Sequence, residues 1–311
     1  MLGANVMWGL MSPLSKMVIV GGIVTPLVIT NLRMAGAMVL FWITSLFVPR
    51  EHVPLPDLAR LFCAGMLGVL INQSCFMMGV GLTSPGDASI ITTSMPLWVM
   101  ILAALILKEP ITAKKVGGIV CGATGALLLI LSSGHVGADR ASGIWGDLLV
   151  LTAQFSYALY LTLYKNFVAR YSLVTLMKWM FTFAFLVNFC YAAPSLYSTV
   201  WSALSWAEIG SLAFTVVCGT YIAYVLIMIG QKTLRPTVVG MYNYFQPIVA
   251  CMVGIYMGLD TFNLEKLAAI LLIFCGVWLV TRSKSRAQML AEQSQQQKTI
   301  NKYGTKAAFR N

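Results

Sequence analysis

The sequence predicts an all-α integral membrane protein of ten transmembrane helices, built as two inverted five-helix repeats. Three observations predict it. Of 311 residues, 59% are hydrophobic and 10% charged, and the mean hydropathy of +0.81 is far above that of a soluble domain. The apolar residues form ten continuous blocks without sustained alternation, which suits helices and not barrel strands. Finally, the chain resembles itself at a fixed offset. A hydrocarbon core about 30 Å thick takes about 20 residues per crossing, so ten crossings leave no room for a large soluble domain.

The first block, residues 2–20, carries Asn5, Trp8 and Lys16. It lacks the basic leader and small-residue cleavage site of a signal peptide and is expected to be retained. The second, 26–48, holds Arg33, and the third, 61–82, holds Asn72 and Gln73. The fourth, 88–107, carries Thr92, Thr93 and Pro96, with Asp87 placed to cap its start. The fifth, 116–131, contains Gly118 and Gly122, and completes a first repeat over 1–131. After an external linker, 132–144, the second repeat spans 145–281. Its blocks are 145–164 with Gln154 and Tyr157, 172–192 with Lys178, 207–229, 237–258 with Tyr242, Asn243, Gln246 and Pro247, and 267–281. Residues 282–311, rich in Gln and Lys, hold too little apolar surface to pack and are expected to be a disordered tail weakly attracted to anionic lipid.

Lys and Arg collect on the cytoplasmic side of membranes. With the N-terminus inside, inner connections hold Arg50, Arg60, Lys108, Lys114, Lys115, Lys165, Arg170, Lys232 and Arg235, and the tail adds seven more. Outer connections hold only Arg140 and Lys266, so both termini are expected in the cytoplasm. Trp145, Tyr197, Trp201 and Trp206 then form an outer aromatic belt. The net charge of +11 comes from scattered residues that set topology, so a nucleic-acid partner is not expected. The seven cysteines lie in apolar runs without a C-x-x-C pair, which argues against disulfides and structural zinc. His52 and His135 fall in connections and read as exposed loop residues, so no metal or cofactor is expected.

An offset of 151 matches Gly68 with Gly219, Gly79 with Gly230, Pro85 with Pro236, Pro96 with Pro247, Glu109 with Asp260, Lys115 with Lys266 and Gly125 with Gly276. The first block joins at an offset of 149, where Ala4, Asn5, Trp8, Gly9 and Lys16 face Ala153, Gln154, Tyr157, Ala158 and Lys165. Because five is odd, the second repeat enters from the opposite side, which relates the halves by an axis in the membrane plane. The partner of Asp147 at this offset falls before Met1, so the first helix is expected to begin earlier or to be shortened here.

The N-x-x-W-G at Asn5 to Gly9, Arg33, the stretch from Pro85 to Pro96, the L-K-E-P-I-T at Leu107 to Thr112 and the Gly125 pattern together resemble an EamA domain. Two tandem copies would place the chain in the drug/metabolite transporter superfamily. That resemblance implies a ten-helix fold around a central cavity that faces each side in turn, and export or import of amino acids, nucleosides or other small metabolites.

Polar groups in an apolar helix need partners, and in a transporter those partners include substrate and cavity water. Asn243 and Gln246 share a face beside Tyr242, with Thr92, Thr93, Asn72 and Gln73 as counterparts in the first half. Asn5 with Trp8 and Gln154 with Tyr157 repeat one amide-plus-aromatic pairing. These residues are the candidate substrate contacts; helix-to-helix hydrogen bonding is the competing reading. Pro96 and Pro247 are expected to kink their helices at mid-depth as a symmetric hinge pair. Arg33 and Lys178, about 10 Å and about 9 Å into their spans at 1.5 Å per residue, are candidates for a substrate carboxylate or phosphate. Lys16 is closer to a helix end and is expected to snorkel.

No carboxylate is expected at mid-depth, which favours facilitated diffusion or exchange over proton coupling. Glu109 and Asp260 read as turn or end-cap residues. The G-x-x-x-G pairs Gly118–Gly122 and Gly254–Gly258 are read as packing within a monomer, ahead of a dimer contact. The resulting expectation is a secondary transporter, exporter or facilitator, of small polar metabolites such as amino acids in the cytoplasmic membrane. The alternative cargo is a phosphorylated or nucleotide-linked sugar. An intramembrane enzyme would need a nucleophile, acid-base pair or metal site that the sequence lacks, and a scaffold has no need of polar faces in both halves.

Overall fold

The computed structural model describes residues 1–106, 113–132, 140–233, 245–261 and 263–282. All regular structure among them is helical. The helices are α1 (Leu2–Val20), α2 (Pro26–Thr44), α3 (Leu55–Gly65), α4 (Asn72–Leu82), α5 (Pro85–Thr92), α6 (Met95–Ile106) and α7 (Ala113–Ser132). They continue with α8 (Arg140–Leu163), the short α9 (Lys165–Val168), α10 (Leu173–Ser198), α11 (Trp206–Val216), α12 (Ala223–Thr233), α13 (Phe245–Tyr256) and α14 (Leu264–Thr281). A π-helical segment, Met66–Ile71, joins α3 to α4, and a second, Val217–Ile222, joins α11 to α12.

Six helical stretches among the described residues are long and apolar enough to cross a membrane: Pro26–Thr44, Leu55–Leu82, Pro85–Ile106, Ser142–Leu163, Leu173–Ser198 and Trp206–Ile227. Val116–Leu128 and Phe245–Tyr256 are shorter apolar helices. Large apolar side chains point away from the bundle, among them Leu105, Leu186, Met252 and Leu271, as lipid contact requires. In α1 the polar side chains of Asn5, Ser12 and Ser15 are buried, so this helix turns its hydrophilic positions inward. Trp145, Tyr197 and Trp206 are exposed.

Helix starts follow local chemistry. Thr25 caps α2 ahead of Pro26, Ser172 caps α10, and Ser205 with Glu208 forms a capping box on α11. At α5 the cap is Ser84, whose hydroxyl accepts from the Asp87 amide at 3.0 Å, and not Asp87 as expected from the sequence. Asp87 stands at the third helical position, where its Oδ2 accepts from the Ser84 hydroxyl at 2.7 Å while Oδ1 takes no part in that bond. Several helices begin outside their apolar blocks, since first turns carry polar residues such as Asp57. Residues 140–144, expected in a linker, are already helical.

The repeat is visible in the elements themselves. Adding 151 to the bounds of α3, the first π segment and α4 gives the bounds of α11, the second π segment and α12. Packing follows the same exchange. α7 lies against α14 and α2 against α10; α8 lies against α4 and α6, while α1 lies against their counterparts α12 and α13. Equivalent glycines make room for equivalent neighbours. A Cβ at Gly68 would come 2.8 Å from the Tyr160 ring, and one at Gly219 would come 3.0 Å from Met11 Sδ. Where α7 crosses α14, a Cβ on Gly276 would lie 2.6 Å from both the Gly118 carbonyl oxygen and the Gly122 nitrogen, so this G-x-x-x-G packs inside the chain. Gly254 and Gly258 do not form such a pair. Gly258 has φ +70 and ends α13, with the Leu259 amide bonded to the Gly254 carbonyl at 2.8 Å.

Pro96 does not bend a continuous helix. Residues 93 and 94 form a turn that separates α5 from α6, and Pro96 is the second residue of α6, where its missing N–H costs little. Pro247 is buried near the start of α13. Pro13 and Pro194, inside α1 and α10, are further helix prolines that the sequence reading did not single out. All seven cysteines are free. Tyr242, Asn243, Glu109, His135, Pro236 and the tail from residue 283 lie outside the described residues.

Candidate functional site

Breaks in helices expose backbone groups, and this site is built around such breaks. An inserted residue in a π segment frees carbonyls from the helical ladder. Trp8 Nε1 donates to the freed Gly219 carbonyl at 3.1 Å, and Ser156 Oγ donates to the Leu67 carbonyl at 2.7 Å. Each π segment is therefore held by the first helix of the opposite half. Thr220, in the second segment, donates to the Thr215 carbonyl at 2.9 Å and accepts from Arg33 Nε, also at 2.9 Å.

Between these elements lies a cavity of about 220 Å³. It is lined by Met1, Trp8, Met11, Arg33, Asn72, Gln73, Phe76, Thr92, Thr93, Met95, Gln154, Tyr157, Leu161, Tyr224, Ile227 and Gln246. The structure thus brings Trp8, Arg33, Asn72, Gln73, Thr92, Thr93, Gln154, Tyr157 and Gln246, all named from the sequence, into the lining of one cavity. Two of the candidates lie elsewhere. Asn5 is fully buried one turn below Trp8, its Nδ2 bonded to the Met1 carbonyl at 3.1 Å. Lys178 stands on the flank of the bundle with its ammonium 4.8 Å from the Trp42 ring centre, where a long side chain reaches past the aromatic. Lys16 does not snorkel: its Nζ donates to the Gly81 carbonyl at 2.6 Å, at the C-terminal end of α4.

Several lining groups already bond to backbone. Asn72 Nδ2 uses one of its two N–H groups on the Ala153 carbonyl at 2.8 Å, and Thr92 and Thr93 bond back to carbonyls of Ser89 and Ile90. Others keep atoms without a partner. Arg33 is 3% exposed, and its Nη1 is buried without a partner; no carboxylate among the described residues pairs with it. Gln73 Oε1 is likewise unpartnered, while its Nε2 lies 3.4 Å from the Tyr224 hydroxyl. Trp8 packs edge-on against Tyr224 with ring centres 6.1 Å apart. The result is a small chamber with aromatic walls, several amides and one uncompensated positive charge.

Tyr224 is the one polar lining residue that does not stand out in the sequence. Gln73 and Tyr224 are 151 apart, so the hydrogen bond joins equivalent positions of the two repeats. Equivalent positions can meet only near the axis that relates them. The offset could therefore have found Tyr224 as the partner of Gln73, and likewise Ile227 as the partner of Phe76 and Met95 as the partner of Gln246.

The sequence pattern of the EamA-like transporter family matches residues 1–131 and 144–282. The chain belongs to that family. An uncharacterized transporter of Archaeoglobus fulgidus is 24% identical over 260 residues, covering 84% of this chain and 90% of that protein. The uncharacterized transporter YoaV of Bacillus subtilis is 24% identical over 281 residues, covering 86% and 90%. A solved crystal structure superposes with a TM-score of 0.60 at 18% identity, covering 90% of this chain and 94% of the other, which establishes a shared fold. This EamA-like chain is a multi-pass membrane protein.

A second polar cluster in the EamA-like bundle lies away from the cavity, where α3 meets the start of α10. Glu51 accepts from the Ser172 amide at 3.0 Å and from its hydroxyl at 3.0 Å, and Tyr171 donates to Asp57. Partial burial opposes ionisation of Glu51, but bonds from Thr175 and Ser172 and the nearby Lys178 charge outweigh it and hold the carboxyl below its usual range. Its contribution is therefore complete above the unfolded value of about 4.3 and is lost as pH falls through the lower folded value. Glu51→Gln is expected to lower thermal stability at neutral pH by less than ~1 kcal/mol, since this group is solvent-screened. Melting curves against pH check this: the gap between variant and wild type closes in acid, and a gap that persists there would assign the effect to something other than charge.

Proposed function

We propose that this protein is a secondary transporter that carries small polar metabolites bearing a carboxylate, amino acids among them, across the cytoplasmic membrane by alternating access. The observation that carries the reading is the unpaired Nη1 of Arg33 in the cavity wall. A buried guanidinium without a counter-ion is costly, and a substrate anion can supply the missing charge and a strong hydrogen bond. The lining amides can orient the remaining polar groups, and Trp8, Tyr157 and Tyr224 offer apolar faces to the body of the molecule. The family assignment and the names of its relatives support transport over catalysis.

On this reading the chain crosses the membrane ten times and the halves are inverted, as the exchange-symmetric packing supports. Arg50, Arg60, Lys165 and Arg170 collect at the end that carries Met1, which is then cytoplasmic. A monomer suffices, because both halves of the cavity come from one chain.

Thermal stabilisation of the purified protein against amino acids, nucleosides, amines and sugar phosphates tests the proposal, since a bound ligand raises stability by mass action. Carboxylate compounds are expected to raise the melting temperature and their methyl esters or amides are not. A shift with sugar phosphates alone would replace carboxylates with phosphates as cargo. Equal shifts with acid and ester would remove the charge of Arg33 from recognition. Gln246→Leu, and Asn243→Leu beside it in sequence, are expected to reduce counterflow in liposomes several-fold with expression intact, an effect of about 1 kcal/mol for each lost hydrogen bond. Wild-type flux in both would take these amides out of the pathway.

A further inference from the structure

Three buried charges outside the cavity meet where α5 packs against α13 and α14. Lys266 Nζ lies 2.6 Å from Asp260 Oδ1 and 2.9 Å from Asp87 Oδ1, with the three side chains 7%, 2% and 8% exposed. The same ammonium reaches the Thr261 carbonyl at 3.2 Å and Ser84 Oγ at 3.4 Å. Asp260 Oδ2 is buried with no hydrogen-bond donor, and Asp87 Oδ1, although within ion-pair distance, has no aligned donor. Gly86 allows this crowding, because a Cβ there would collide with Asp260 Oδ2.

Two carboxylates face one ammonium. The other titratable groups nearby do not correct the imbalance. Lys16 is committed to the Gly81 carbonyl, Asp147 to the Thr83 hydroxyl, Glu265 is exposed, and Cys251, on α13, sits against Gly86 as a thiol. An uncompensated charge in a dry site is removed by binding a proton, and two carboxyls that share a site do not both ionise readily.

We propose that Asp87, Asp260 and Lys266 form a proton-binding latch between the two repeats: the carboxyl pair holds one proton while this end is closed and releases it when the end opens to water. On opening, the O–H bond of one carboxyl breaks, its electron pair stays on the carboxylate and the proton passes to solvent. Asp87 belongs to the first repeat and Lys266 and Asp260 to the second, so separating α5 from α14 dismantles the site. Closure takes up a proton, and acid therefore favours the closed form. The latch lies at the opposite end of the bundle from Met1, which is the outer end in the orientation proposed above. It stands independently of the Arg33 reading, and its test needs no transported substrate.

Infrared spectroscopy of the purified full-length protein at pH 7 reads the site directly. The wild type is expected to show the carbonyl stretch of a protonated carboxyl, and Asp87→Asn and Asp260→Asn are each expected to lose it, because the remaining carboxylate then balances Lys266. The second readout is alkylation of Cys251, followed by mass spectrometry of its peptide. The thiolate fraction alone raises the rate about tenfold per pH unit, and an opening that releases one proton adds another factor of about ten. A slope near 100-fold per unit is expected in the wild type and near tenfold in Asp260→Asn. Equal slopes in the two proteins, absence of the carboxyl band from the wild type, or its persistence in both variants would overturn the proposal.

Discussion

Arg33→Gln is expected to lower affinity for a carboxylate ligand by about 10- to 100-fold while leaving the fold at least as stable. A hydrogen bond to a charged group contributes about 1.5–3 kcal/mol, and each ~1.4 kcal/mol is a factor of ten. Stability should not fall, because the substitution removes a buried charge that no carboxylate among the described residues balances. Arg33→Lys is not expected to restore binding. Nε is already committed to Thr220 at 2.9 Å, and a single ammonium cannot both hold that bond and present a second donor to the cavity. Melting curves with and without ligand, paired with counterflow, separate the two effects. A full ligand-dependent shift in Arg33→Gln would remove Arg33 from the site.

Gly276→Val is expected to abolish folded protein. Its Cβ would meet backbone atoms of Gly118 and Gly122 at 2.6 Å, and neither neighbour has a side chain that could swing aside. Even one added methyl in a close-packed contact costs about 1–3 kcal/mol, and a branched side chain must push α7 away from α14 along their crossing. Gly117→Ala is the matched control, since a Cβ there meets nothing within 4 Å. It is expected to be neutral or to stabilise by about 0.4–1 kcal/mol through the unfolded chain. Size-exclusion profiles and melting temperatures of the two variants test the contrast. Equal behaviour would mean that the glycine crossing does not set the helix spacing.

Much of the cavity was legible in the sequence because polar side chains are conspicuous in apolar helices. Trp8, Gln154, Tyr157, Gln73 and Gln246 stand out because each needs a partner that lipid cannot supply. The same reasoning also flags Lys178 and Asn5, which do not line this cavity. A basic or amide side chain in a span is flagged equally whether it faces a chamber, a neighbouring backbone or an aromatic ring on the flank. Direction around the helix decides, and residue type does not carry it. Tyr224 escaped for the opposite reason, since a tyrosine in an apolar run reads as ordinary packing until its repeat partner Gln73 is found across from it. From the sequence Asp87 reads as a cap and Asp260 as a turn or end-cap residue, because acids at helix ends usually are. Only the packing of α5 against α13 and α14 shows that they share Lys266.

By itself, the sequence determined the membrane class, the helical character and the doubling of the chain. Those follow from local quantities: apolar length against bilayer thickness, the absence of period-two alternation, and glycines and prolines that recur at one spacing. The tertiary structure alone decided which polar groups meet, where α5 breaks from α6, and that the π segments receive bonds from the opposite half. Those depend on the rotation and depth at which helices pack. Contacts between residues far apart in the chain fix these, and the periodicity of any one helix leaves them open.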